Sequence, residues 1–163
     1  MKEKPAFDSY FAFTVQEEVG IRGAQTIANK IHPDFGIAVD TTIAYDLPGS
    51  KDHEQVTQLG KGAAVKILDG RTICDSRMVR FLRKTAIDNE IPWQHEVLPM
   101  GGTDTAALQR EGNGGSIAGA ISIPTRHIHQ VIEMCHSADI EAAIQLLSKS
   151  VVQLDQANWQ INL

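Results

Sequence analysis

Cysteine is scarce in this chain of 163 residues: Cys74 and Cys135 are the only two, far apart and without a Cys-x-x-Cys spacing. Neither a disulfide framework nor a cysteine zinc site is indicated, and a reducing cytoplasm fits that usage. There is no run of Lys or Arg either. Fifteen basic residues against twenty acidic ones leave a formal charge of −5, and nucleic-acid affinity rests on clustered cations that track phosphates. Apolar runs fall well short of the roughly 20 residues a membrane helix needs. The opening Met-Lys-Glu-Lys-Pro is charged, with no apolar stretch behind it to act as a secretion signal. Internal repeats, low-complexity tracts and linkers are absent. What remains is ordinary globular usage, 42% hydrophobic and 21% charged, enough for one domain with one core. Small molecules or peptides are the expected partners, with neither nucleic acid nor membrane.

The order of patterns predicts an α/β fold. Tyr10 to Val15 alternates with aromatic character and reads as a strand, ended by Gln16-Glu17-Glu18-Val19-Gly20. Ala24, Ile27, Ala28 and Ile31 recur at helical spacing, and His32-Pro33-Asp34 stops that helix. Gly36 to Asp40 reads as a short, fully buried strand, Tyr45 to Gly62 as a loop, and Ala64 to Leu68 as a further strand. Ser76 is placed to cap a helix whose Met78, Val79, Phe81, Leu82, Ala86 and Ile87 share a face. A strand at Glu96-Val97-Leu98 and a short helix through Gln109 follow. Ile117 to Ile123 is almost uninterrupted apolar sequence, closed by Pro124. A last helix carries Ile140, Ala143, Ile144, Leu147, Val151 and Leu154 behind Ser137-Ala138-Asp139. Short apolar strands alternating with helices imply a sheet covered by helices on both faces. A core-grade strand almost at the first residue fits an interior portion of a larger protein.

Acidic and imidazole groups fall at or just beyond strand ends, where α/β folds hold their sites: Glu17 with Glu18, Asp40, Asp104, and His127 with His129. Carboxylate plus imidazole is the ligand set of hydrolytic zinc, cobalt or manganese sites. Adjacent glutamates can divide the work, since successive extended residues point opposite ways, one toward an ion and the other toward a proton. Each feature has a plainer reading. Glu17-Glu18 can be a solvated pair, Asp40 a turn cap, Asp104 the cap of the short helix, and His127-Ile128-His129 ordinary loop residues. His32-Pro33-Asp34 reads as connection chemistry. Gly112-Asn113-Gly114-Gly115 lacks the strand-to-helix setting and the Lys-Ser/Thr ending of a phosphate loop.

Taken in order, Phe13-Thr14-Val15-Gln16-Glu17-Glu18-Val19-Gly20-Ile21-Arg22-Gly23-Ala24, Ala38-Val39-Asp40, Gly101-Gly102-Thr103-Asp104 and Ser122-Ile123-Pro124-Thr125-Arg126-His127-Ile128-His129 resemble one family. It is metallopeptidase family forty-two, the glutamyl or deblocking aminopeptidases of tetrahedral assembly, some of whose members carry cellulase names. The similarity runs from about Phe11 to about Leu147. It implies a mixed sheet with helices on both faces, part of a zinc-peptidase-like (phosphorylase/hydrolase-like) catalytic domain, acting as a cytoplasmic homo-oligomer on peptide substrates. It further implies two divalent metals, zinc or cobalt, with Glu17 as general base, Glu18 and His129 as ligands of one ion and Asp40 of the other. Asp104, Gly102 and His127 come with it as flanking or substrate-pocket residues.

Two departures qualify what is implied. His127 stands where the family usually has tyrosine. Full members are roughly twice as long, and their first histidine ligand and bridging aspartate precede the Gln-Glu-Glu motif. The chain therefore looks like the C-terminal part of the catalytic domain, without the dimerisation domain and N-terminal half. Two neighbouring dications repel unless a carboxylate bridges them, so at most one weakly held ion and little peptidase activity are expected of the isolated chain. The alternative is an inactive remnant that serves as a self-associating structural or interaction module.

Overall fold

The computed structural model describes residues 5–160. Its elements run α1 (Arg22–Ile31), β1 (Phe35–Ile43), β2 (Ala63–Leu68), α2 (Ser76–Asp88), β3 (Trp93–Val97), α3 (Thr105–Arg110), β4 (Ile117–Arg126), β5 (Met134–Cys135) and α4 (Ser137–Gln153). The sheet order is β1-β4-β2-β3, with β5 paired to the end of β4. β1 lies parallel to β4, β2 parallel to β3, and the two pairs meet antiparallel where Ala64 opposes Ser122. This is the expected mixed sheet.

Helices cover both faces, as the pattern of short apolar strands requires. Side chains alternate across a strand, and the positions bear this out. A Cβ on Gly119 would strike Met78 of α2, whereas one on Gly36 would strike Leu108 of α3. On the first face Met78, Leu82, Ile121, Ala142 and Leu146 form the main core. A smaller cluster of Ile21, Ala24, Ala106 and Ala107 joins α1 to α3. No helix among the described residues is long and apolar enough to cross a membrane.

Several expectations are corrected. Tyr10 to Val15 is not a strand: it runs irregular, with Phe13 96% exposed. A strand persists only where another strand takes its main-chain groups, and here Val15 O instead accepts from Gly23 N–H at 2.9 Å. β1 is longer than Gly36 to Asp40 and not fully buried: it borders the sheet, and Val39 is 49% exposed. Asp75, not Ser76, caps α2 by accepting from Arg77 N–H, and Ile87 turns outward. β3 begins at Trp93 and ends at Val97, ahead of Leu98. Pro124 does not close β4, which continues to Arg126. Thr125 O bonds toward β1, so the missing N–H of Pro124 points the other way, beyond Ser122 where pairing with β2 has ended. His136 caps α4 through its ring, accepting from Ala138 N–H. Asp139 inside α4 holds the loop before β2, its two carboxylate oxygens accepting from Gly60 and Gly62 N–H at 2.7 Å each.

Candidate active site

The Gln16–Gly20 loop is shaped by backbone conformations that its sequence makes costly. Gln16 and Ile21 both adopt left-handed φ, 58° and 51°, and a β-branched residue there is strained. Glu17 O gathers the turn, accepting from Gly20 N–H at 3.1 Å and Ile21 N–H at 2.8 Å. Gly23 allows the chain to fold back, since a Cβ there would lie 2.5 Å from the backbone of Val15. Glu17 and Glu18 are thereby presented at the mouth of a cleft of about 480 Å3.

Across that cleft the loop after β4 brings His129, itself left-handed at φ 63°. Its Nε2 lies 3.1 Å from Glu18 Oε1, and its backbone N–H donates to Glu133 Oε1 at 2.5 Å. Arg71, Met100 and Gly102 line the remainder of the cleft. His127 is exposed and does not line it.

Asp104 directs its carboxylate toward this loop. It stands at the start of α3 without capping it: Oδ2 accepts from Thr14 Oγ1 at 2.5 Å, and Oδ1 is buried with no hydrogen-bond partner among the described residues. Burial raises Glu17 to about 7, helped by the nearby charges of Asp40, Asp104 and Glu18 and opposed by Arg71. Asp40 is raised too, chiefly by burial and further by Asp104 and Glu18, against the Thr41 N–H and the Lys66 charge. Glu17 thus feels the charges of three other carboxylates besides its own burial, and a proton on it relieves that repulsion near neutral pH.

Below them, on the α3 face of the sheet, lies a charged group that the sequence reading missed. Lys66 is buried and ion-paired with the equally buried Glu96. Lys66 Nζ also stands 3.6 Å from Asp69, and Glu96 Oε1 accepts from Thr42 Oγ1 at 2.8 Å. The signal was a lysine inside Ala-Ala-Val-Lys-Ile-Leu, where every neighbour is apolar. Thr14 and Arg71 carried no local signal. Cys74 is held inert, since burial pushes its thiol up to about 12.

Among the described residues no three His, Cys, Asp or Glu side chains converge to hold an ion. Glu18 and His129 supply two donors at the cleft, whereas Asp40 stands outside that pair with Oδ1 accepting from Thr41 N–H at 2.7 Å. Among the described residues, Glu18 and His129 are the pair that would begin one ion's donor set.

Comparison with known proteins shows the family to which the chain belongs. Residues 1–146 match the family described as M42 glutamyl aminopeptidase. A putative aminopeptidase of Acetivibrio thermocellus is 43% identical over 142 residues, which cover 87% of this chain and 42% of that protein. A TET aminopeptidase from a marine sediment Thaumarchaeota archaeon superposes with TM-score 0.83 at 38% identity, over 86% of this chain and 39% of that one. A TET1 peptidase of Pyrococcus horikoshii, which can assemble into a tetrahedron or a large octahedral shell, gives TM-score 0.73 at 32% identity over 86% and 40%. The chain spans about two fifths of the length of the curated relatives it matches.

Proposed function

The chain belongs to the M42 glutamyl aminopeptidase family, and from that premise we propose that it carries the acid–base part of an aminopeptidase site that cleaves the first residue from peptides. One observation carries the reading: Glu18 and His129 meet at 3.1 Å across 111 positions, in the same cleft as Glu17. Glu17, raised to about 7, exchanges its proton where such an enzyme works. It takes a proton from the attacking water as the water oxygen bonds to the carbonyl carbon. It returns that proton to the amine nitrogen as the C–N bond breaks. Asp40 and Asp104 keep the Glu17 proton affinity high, and Thr14 holds Asp104 in place. The crowded carboxylates also attract the positively charged amino terminus of a peptide. Glu18 and His129 would hold a divalent ion, zinc or cobalt. Such an ion supplies Lewis acidity to a water and to a carbonyl oxygen. A cytoplasmic location belongs to the same reading.

The test is hydrolysis of aminoacyl chromogenic substrates by the 163-residue chain with zinc, cobalt or manganese added, beside a chelator control. Weak chelator-sensitive turnover that Glu17→Gln abolishes is expected of this reading, and turnover retained in Glu17→Gln overturns the role of Glu17. No turnover with any metal overturns the activity for the isolated chain.

A second reading is self-association, which one feature favours. Among the described residues β1 pairs as a strand only with β4; its other edge is met near the end, where Thr57 Oγ1 donates to Ile43 O at 2.8 Å, and is open beside exposed Val39, while Phe11, Phe13 and Val15 stand out to solvent. An open apolar edge is a template for another strand. Sedimentation of the chain as a concentration-independent monomer overturns this reading.

A further inference from the structure

Asp69 is a buried carboxylate that the proposed chemistry does not use, yet both of its oxygens are engaged. Oδ1 accepts from the backbone N–H groups of Arg71 at 2.8 Å and Thr72 at 2.9 Å, which fixes the turn after β2. Oδ2 accepts from Thr103 Oγ1 at 3.3 Å and faces Lys66 Nζ at 3.6 Å. Asp69 therefore ties the turn at 70–71 to the loop at 100–103. The two segments also touch directly. Gly70 N–H donates to Met100 O at 3.2 Å, a Cβ on Gly70 would lie 2.8 Å from Gly101 O, and one on Gly102 would lie 2.5 Å from Arg71 Cδ. Gly70, Arg71, Met100 and Gly102 from these segments line the cleft that Glu17, Glu18 and His129 share.

The clamp is anchored within the sheet. Lys66 Nζ is ion-paired with Glu96, whose Oε1 also accepts from Thr42 Oγ1 at 2.8 Å, and Thr42 lies two residues beyond Asp40 on β1. Thr103 immediately precedes Asp104. One chain of polar contacts, Thr42–Glu96–Lys66–Asp69–Thr103, thus runs from the strand of Asp40 to the loop of Asp104, and none of its five residues is more than 5% exposed. Such a network holds one arrangement, because each broken contact leaves a polar group with no water to turn to.

We propose that Asp69, held by the Lys66–Glu96 pair, is a positioning residue: from beneath the cleft it fixes the wall formed by the two segments and so sets how tightly a peptide binds. The inference rests on the aminopeptidase reading of this cleft and names the residues that shape it.

The experiment uses Leu-Ala-Ala-amide as the probe, with binding measured by calorimetry and hydrolysis followed where it occurs, on the full chain with zinc. Asp69→Asn keeps an oxygen for the Arg71 and Thr72 amides but turns a donor toward Lys66 and Thr103. It should weaken Kd or KM about tenfold and leave any kcat within about twofold. Thr103→Val should act in the same direction, and Thr103→Ser, which keeps the hydroxyl, should restore the affinity of the unmutated chain. Thr42→Val, at the far end of the network, should weaken binding less when Thr103→Val is already present than when it is not. Unchanged affinity in Thr103→Val, a loss that Thr103→Ser does not restore, a fall in kcat alone, or strictly additive effects of Thr42→Val and Thr103→Val overturns the inference. Where the unmutated chain hydrolyses the probe, that failure leaves the aminopeptidase reading standing. Network-dependent binding without hydrolysis does the reverse, and neither binding nor hydrolysis removes both. Far-ultraviolet circular dichroism checks that each variant is folded, and if Asp69→Asn is not, the Thr103 pair decides.

Discussion

Glu18 Oε1 and His129 Nε2 sit 3.1 Å apart although 111 positions separate them in the chain. Both side chains are largely exposed, His129 at 66% and Glu18 at 72%, so an ion pair between them contributes little stability by itself. Their contact joins two loops across an open cleft.

That geometry predicts the metal stoichiometry. The chain should take up about one divalent ion, loosely, because two donors converge among the described residues. Glu18→Ala and His129→Ala should each lower zinc or cobalt retained after dialysis, while Glu17→Gln should leave it nearly unchanged. Elemental analysis finding two tightly held ions per chain would contradict the prediction.

The raised proton affinity of Glu17 predicts a pH-dependent stability of definite sign. A carboxyl at about 7 in the fold and near its ordinary value when unfolded favours the native state fully in acid. That contribution is lost as pH rises from the unfolded value through about 7. In metal-free protein, Glu17→Gln should therefore raise the urea midpoint at pH 8 relative to the unmutated chain, and much less at pH 4. Asp104→Asn, which removes one of the charges that raise Glu17, should move the Glu17 titration seen by carboxyl NMR to lower pH. An unmoved titration would refute the coupling.

Burial of Lys66 against Glu96 predicts an asymmetric mutational response. Lys66→Met leaves two buried carboxylates, Glu96 and Asp69, without their cation, and should cost about 3–5 kcal/mol in urea unfolding. The double variant Lys66→Met with Glu96→Gln should recover part of that loss. Equal destabilisation in the single and double variants would show that the pair is not coupled.

Asp139 is expected to matter through backbone rather than through ions. It is fully buried and accepts from two glycine N–H groups, so Asp139→Ala should cost roughly 1.5–3 kcal/mol. Hydrogen exchange at Gly60 and Gly62 should accelerate with it. Protection unchanged at both amides would remove the proposed anchor.

Much of the fold was legible because its signals are local. The apolar spacing of Ala24, Ala28 and Ile31, the stop at His32-Pro33 and the apolar run from Ile117 each dictate an element from neighbouring residues. The Tyr10 to Val15 pattern failed because strand formation depends on a partner that no local pattern contains. Pro124 misled for a similar reason: whether its missing N–H matters depends on which neighbour β4 has on that side. Motif order named Glu17, Glu18, Asp40, Asp104 and His129 as candidates, and of these the structure brings Glu17, Glu18 and His129 to one cleft. Arg71, Thr14 and the Lys66–Glu96 pair were not named, since each acts on a residue distant in sequence.

The α/β alternation and the residue types available for chemistry follow from local sequence, because hydrophobic period and side-chain donor sets are properties of short segments. Which of those residues meet is a matter of tertiary packing. It joined His129 to Glu18, left Asp40 outside that pair, turned Asp104 toward Thr14 instead of its own helix, and laid Arg71 over Gly102. The physical reason is that charge coupling and hydrogen bonding fall away within a few ångströms, and distances that short between remote segments are set by how the sheet and its loops are packed.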